Sequence, residues 1–195
     1  MQPASFLMTQ KSSVFNIPNQ ITCIRLILAC IMFGLIPAKC HLAALLVFAV
    51  AAGTDWLDGY WARKYNQVTQ LGRILDPFVD KFIICGAFVF LVAEPDSGIR
   101  AWMAVVVVSR ELLVTVIRGF LEQQGADFSA QWSGKLKMVL QCGAVILSLL
   151  SLKYVSPDDT CWLCLTRDLF IWLSILSTLQ SGIVYIFRAV RLLRE

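Results

Sequence analysis

Charge is what this sequence has least of. Asp, Glu, Lys and Arg make up 15% of its 195 residues against 58% hydrophobic residues, and the mean hydropathy is +0.71. A soluble domain averages about 25% charged and roughly 45–50% apolar residues, so the composition argues for a membrane protein. Histidine is nearly missing, with one in the chain. Of the seven cysteines, Cys23, Cys30, Cys85 and Cys142 fall inside apolar runs, where a thiol serves as a small buried hydrophobe. Cys161 and Cys164 form a "CWLC" loop with no second Cys or His cluster to complete a metal site, which leaves little material for zinc. No polar linker, internal repeat or low-complexity segment divides the chain, so residues 1–195 are expected to form a single membrane domain. The opening "MQPASFLMTQKSSVFNIPNQ" lacks a continuous apolar h-region and a small-residue cleavage site. Residues 1–15 therefore read as a polar N-terminal tail.

What the sequence does have is long apolar runs. A membrane-spanning helix needs ~20 mostly apolar residues, and six segments qualify: 20–37, 42–61, 75–94, 100–121, 134–154 and 167–190. Polar loop signals separate them ("PAKCH", "RKYNQVTQLGR", "EPDSG", "EQQGADFSAQ", "SPDDT"). The expected fold is an all-α integral membrane protein with six transmembrane helices. An even number of spans puts both termini on one side. That side also holds all but four of the 17 Lys and Arg, the exceptions being Lys39, Arg100, Lys153 and Arg167. The positive-inside bias makes that side, with both termini, cytoplasmic.

Against this background one stretch stands out: "DWLDGYWARKYNQVTQLGRILDPFVDK" places four aspartates at the edges of two apolar runs. A carboxylate near hydrocarbon is costly unless a metal, a proton or a counter-charge compensates it. Asp55 and Asp58 are three apart and share a helix face, as do Asp76 and Asp80 at a spacing of four. Pro77 suits the first turn of a helix with Asp76 at or near its cap. A loop of about a dozen residues would then let the two pairs converge. Four carboxylates without His or Cys make a hard oxygen site, which favours Mg²⁺ or Mn²⁺ over zinc. Two such ions beside a basic rim suit phosphate chemistry. Gly59 and Ala62 leave room for a bulky phosphorylated ligand, and Arg63 lies near enough in register to clamp a phosphate. Interfacial salt bridges with Arg63, Arg73 and Lys81 are the structural alternative, and they account less well for the spacing and the small residues between the acids.

The same stretch matches D-x2-D-G-x2-A-R-x8-G-x3-D-x3-D at every fixed position: Asp55, Asp58, Gly59, Ala62, Arg63, Gly72, Asp76 and Asp80. In this it resembles the CDP-alcohol phosphatidyltransferase family. That resemblance implies a six-helical, homodimeric membrane enzyme that transfers a phosphatidyl group from CDP-diacylglycerol to an alcohol and releases CMP. It implies that Asp55, Asp58, Asp76 and Asp80 hold two divalent cations and that Asp80 is also the general base. It assigns Gly59, Ala62, Arg63, Thr69 and Gly72 to CDP-diacylglycerol, with Asn19 and Thr22 of "NIPNQITCIR" against the nucleotide.

The acceptor must be read from basic residues outside that motif. Arg110 and Arg118 are eight apart, near one helix face, and Lys135, Lys137 and Gln141 open the fifth span. Charges within membrane helices need a reason beyond snorkelling. Glu111 has the simpler reading of a partner for a nearby arginine. A cationic pocket beside the metals suits an alcohol that carries its own phosphate. Three patches, Asn16 to Arg25, Arg110 to Arg118 and Gly134 to Gln141, resemble the branch of the family whose acceptor is sn-glycerol 3-phosphate, although Met138 stands where that branch often has Thr. Arg110, Arg118 and Lys135 are the expected acceptor-phosphate ligands. The same fold with another acceptor, as in a cardiolipin or phosphatidylinositol-phosphate synthase, is the near alternative. A cation transporter is the distant one, disfavoured because the acids cluster at one membrane face. The expected setting is a bacterial inner membrane with the site facing the cytoplasm, and no nucleic-acid partner is expected.

Overall fold

In the computed structural model, residues 17–65, 70–123, 132–155 and 162–192 are described. The side chains described are those of 19–54, 75–120, 136–155, 162–187 and 189–191. Six α-helices, and no strands, occupy these residues: α1 Ile17–Leu35, α2 His41–Tyr65, α3 Gln70–Val92, α4 Ala101–Gln123, α5 Trp132–Tyr154 and α6 Trp162–Leu192. The short links follow from local chemistry. Lys39 takes a left-handed backbone, with φ 57°, in the tight turn after α1. Between α3 and α4 a 3-10 turn, Pro95–Ser97, ends at Gly98, whose φ of 77° suits a residue without Cβ. A side chain at Gly98 would also run into Arg167, whose Nε lies 2.7 Å from the Cβ position.

The helices start and stop close to the six apolar segments, with two corrections, one being that α6 begins at Trp162 and not at 167. Helix α3 begins at Gln70, not 75, so only residues 66–69 separate it from α2. Asp76 is therefore not a cap, and Pro77 lies inside α3 rather than in its first turn. The reason is that apolarity limits the part of a helix in hydrocarbon, not the helix. Gln70 and Arg73 can extend the backbone hydrogen-bond ladder into the polar interface. Pro77 has no N–H for the carbonyl four residues earlier, so α3 lacks one rung between Arg73 and its acids.

Helix α1 packs on α2 and α3; α3 also meets α4 and α5; α6 runs against α4 and α5. The main core joins Ala29, Met32 and Ile36 of α1, Phe48 of α2, Phe88 and Leu91 of α3, Leu149 of α5 and Ile171 and Ile175 of α6. Phe33 stacks on Phe90 at 4.9 Å between ring centroids. Gly86 lets that ring in: a Cβ there would lie 2.0 Å from Phe33 Cζ.

The distribution of polarity is inverted relative to a soluble bundle. Gln141, Ser148, Ser151, Ser174, Thr178 and Ser181 are buried, while Ile27, Leu112, Val116 and Phe187 are exposed. Hydrocarbon solvates such an apolar exterior, and small or hydroxylated residues allow close helix contact within it. Two described helical segments, Leu136–Tyr154 and Trp162–Arg191, are long and apolar enough to cross a membrane. Asn19–Leu35 and His41–Thr54 are shorter apolar segments. Cys23, Cys30, Cys40 and Cys85 are free thiols, and Cys161 lies outside the described residues, so no pairing with Cys164 is described.

Candidate active site

Helix α3 carries Asp76 and Asp80 on one face, and α1 reaches both. Thr22 Oγ1 donates to Asp76 Oδ1 at 2.5 Å. Arg25 Nη2 donates to Asp80 Oδ1, also at 2.5 Å, as a charge-assisted bond. The Arg25 side chain is 2% exposed, and its Nε donates to the Ala51 carbonyl of α2 at 3.0 Å. Thr22 and Arg25 are three apart on α1, which puts them on one face opposite acids four apart on α3. Asn19, one turn earlier, is buried on the same side. The expected acid site thus has a support that spacing alone did not disclose: Arg25 ties α1, α2 and α3 together at Asp80. The sequence places Thr22 beside a nucleotide, and in the structure its hydroxyl also bonds the Asp76 carboxylate.

Asp55 and Asp58 lie in α2, upstream of its end at Tyr65. Their side chains, with Gly59, Ala62, Arg63 and Gly72, lie outside those described, and Thr69 lies outside the described residues altogether. The donors that are described, two carboxylates steadied by a hydroxyl and a guanidinium, are all-oxygen and fit a hard divalent cation. Among the described residues no group of three metal-ligating side chains forms, since two acids of the motif are not in that set.

A second cluster of charge lies between α4, α5 and α6. Glu111 of α4 is buried and accepts a hydrogen bond from Lys137 Nζ of α5. Its Oε1 also accepts from Arg110 Nη1 at 3.1 Å. Arg110 Nη2 donates to Ser181 of α6. Arg118, two turns on, donates from Nη2 to the Tyr185 hydroxyl at 3.1 Å. Gln141 of α5 donates to Thr178 of α6 at 3.2 Å. Unpaired charge is expensive in such an interior, and here Glu111 offsets part of it. The bland expectation for Glu111, a partner for an arginine, holds, and Lys137 is a second partner. The Lys135 side chain lies outside the described set, so Lys137 is the described lysine of this cluster.

The acids and the cations are neighbours. Lys81 directly follows Asp80 and donates to Thr115 Oγ1 of α4 at 2.5 Å. Thr115 in turn donates to the Glu111 carbonyl, and it precedes Arg118 by three residues. One contact thus joins the acid-bearing turn of α3 to the helix that carries Arg110, Glu111 and Arg118. A cavity of about 270 Å³ lined by Pro95, Arg100, Arg167, Asp168 and Trp172 lies at the other end of α3, away from these groups.

Sequence reasoning missed Ser181 and Tyr185 because α6 reads as one more apolar span. A signal was present: Ser174, Thr178, Ser181 and Tyr185 recur at steps of four, three and four, one helix face, and all four are buried.

The sequence profile of CDP-alcohol phosphatidyltransferase matches residues 15–180. The CDP-diacylglycerol–glycerol-3-phosphate 3-phosphatidyltransferase of Bacillus subtilis (strain 168) is 34% identical over 190 residues, 88% of this chain and 94% of that protein. The protein of the same name from Escherichia coli (strain K12) is 35% identical over 136 residues, 67% of this chain and 75% of that protein.

Proposed function

The chain belongs to the CDP-alcohol phosphatidyltransferase family, and on that premise we propose that it transfers the phosphatidyl group of CDP-diacylglycerol to sn-glycerol 3-phosphate, giving phosphatidylglycerophosphate and CMP. The names of the relatives support this acceptor. The observation that carries it is the Lys81–Thr115 contact, which brings a carboxylate pair and a buried cationic cluster side by side. One half suits proton removal and the handling of a diphosphate; the other suits an acceptor that bears its own phosphate.

In this reading Asp80 accepts the proton of the primary hydroxyl of glycerol 3-phosphate. The hydroxyl oxygen forms a bond to the β-phosphorus of the CDP-lipid, and the bond from that phosphorus to the CMP oxygen breaks in line with it. Arg25 fixes the Asp80 carboxylate and Thr22 that of Asp76, so neither acid must be ordered during the reaction. Arg110 and Arg118, with Lys135, orient the acceptor through its phosphate. Asn19, Gly59, Ala62, Arg63, Thr69 and Gly72 serve the CDP-lipid. Two divalent cations, Mg²⁺ or Mn²⁺, held by Asp55, Asp58, Asp76 and Asp80, would neutralise the diphosphate and the leaving CMP. The apolar exterior supports six transmembrane helices in a bacterial inner membrane, with both termini and the acids on the cytoplasmic side. Family resemblance supports a homodimer.

The test is purified protein with CDP-diacylglycerol and radiolabelled glycerol 3-phosphate. Label should enter lipid in a metal-dependent reaction with equimolar CMP release. No lipid label, while glycerol, inositol phosphate or phosphatidylglycerol is accepted, would overturn the acceptor. A second arm uses Asp80→Asn, which should abolish turnover while CDP-lipid binding survives. Near-normal turnover removes Asp80 as the base.

A further inference from the structure

Tyr185 of α6 occupies a position that its size and burial alone do not require. It is 4% exposed. Its ring lies beneath two guanidinium groups at once, with Arg110 Cζ 5.6 Å and Arg118 Cζ 5.9 Å from the centroid. Its hydroxyl takes the Nη2 of Arg118. A ring face attracts cations within about 6 Å, so one side chain holds two like charges that would otherwise repel each other.

Each of these guanidinia keeps one unsatisfied donor. Nε of Arg110 and Nε of Arg118 are buried and have no hydrogen-bond partner. A buried donor without an acceptor is costly, and two of them over one ring call for a ligand with several acceptors. The charge count specifies it further. Among the described side chains Arg110 and Lys137 pair with one carboxylate, Glu111, Arg118 bonds the Tyr185 hydroxyl, and Lys81, beside Asp80, lies within electrostatic reach of them. With Lys81 set against Asp80, the cluster keeps an excess of two positive charges. A phosphate monoester near neutral pH carries about −1.5 to −2, a phosphodiester one negative charge and a polyol none.

We propose that Tyr185 is a positioning and specificity-determining residue: it holds Arg110 and Arg118 as a single clamp whose unsatisfied Nε donors take a phosphate monoester, and so selects an alcohol bearing a terminal phosphate over a diester or a neutral polyol. This rests on the acceptor-pocket reading above. The Tyr185 ring acts on the acceptor through the arginines and has no part in proton transfer.

The experiment measures KM for glycerol 3-phosphate, KM for CDP-diacylglycerol and kcat in Tyr185→Leu and Tyr185→Phe, with inorganic phosphate as a competitive probe. Tyr185→Leu should raise the acceptor KM and the inhibition constant of phosphate by about tenfold. The CDP-diacylglycerol KM should stay within about twofold. Tyr185→Phe keeps the ring and loses the hydroxyl, so its acceptor KM should rise about threefold. A merely structural role would lower folded yield and kcat with no selective rise in acceptor KM, and that result overturns the proposal. Should Tyr185→Leu fail to fold, Tyr185→Phe decides: an unchanged acceptor KM and phosphate inhibition refute it. Arg110→Ala and Arg118→Ala serve as controls. If they leave acceptor KM unchanged, the pocket assignment itself is wrong. If they raise it and neither Tyr185 variant does, only the role of Tyr185 falls.

Discussion

Removing Arg25 should damage this protein more than any other single change in α1. Arg25→Ala deletes a guanidinium that is 2% exposed and bonded to Asp80 and to the Ala51 carbonyl. Loss of a charge-assisted hydrogen bond costs about 1.5–3 kcal/mol. Breaking a fully buried ion pair costs about 3–5 kcal/mol, because the other charge is stranded. Asp80 is 27% exposed, so it regains some solvation and the upper figure must be discounted. About 2–4 kcal/mol remains. For a chain of this size each kcal/mol shifts Tm by roughly 2–4 °C, so a fall of about 5–15 °C is expected. Turnover should fall more steeply, by about 100-fold, because a displacement near 1 Å at a reacting group is enough for that. Arg25→Lys should rescue little, since a compact ammonium cannot reach Ala51 and Asp80 together. The assay is thermal unfolding in lipid nanodiscs beside CMP release with saturating substrates. Divalent cation should restore part of the Tm in Arg25→Ala, because a cation on Asp80 replaces the missing charge. A variant that keeps its Tm within about 2 °C and its turnover within about twofold would refute the view that Arg25 organises the acid site.

Three further outcomes are expected. Gly86→Val puts a branched side chain where Phe33 Cζ would lie 2.0 Å from its Cβ, so a loss of about 1–3 kcal/mol should appear in thermal unfolding, and Phe33→Ala should relieve it in the double variant. Glu111→Leu leaves Lys137 and Arg110 without their carboxylate; pairing it with Lys137→Met should recover stability, with a coupling of about 0.5–3 kcal/mol in a double-mutant cycle. Chelation by EDTA should stop CMP release, and Mg²⁺ or Mn²⁺ should restart it while Ca²⁺ restores less, because Ca²⁺ prefers longer, more numerous oxygen contacts.

The helices were legible because each needs a run of apolar residues, and the shared face of Asp76 and Asp80 because they lie four apart on α3. The start of α3 was misjudged for the same reason: an apolar window finds the part of a helix in hydrocarbon and is blind to the turn at Gln70 to Ile74 beyond it. Cross-helix pairs were not legible. Nothing in "NQITCIR" says that Thr22 will meet Asp76 and Arg25 will meet Asp80, since both pairs span more than fifty residues and depend on how α1 crosses α3. Tyr185 escaped notice because an aromatic in an apolar span has no local mark of its partners. Arg110 and Arg118 drew attention because charge in such a span is rare; the ring beneath them did not.

The double hold of α1 on α3 also limits motion. Thr22–Asp76 and Arg25–Asp80 are two rungs of one ladder. Sliding one helix past the other by a turn, about 5.4 Å, would break both together, so a slide that frees one acid frees the other. Helices α1 and α3, with α2 tied in through Ala51, should travel as one rigid block through the catalytic cycle. Substrate entry and product exit would then fall to the other side of the molecule, where α4 and α6 meet across hydroxyls and an aromatic ring, contacts that can part and reform without unseating the acids.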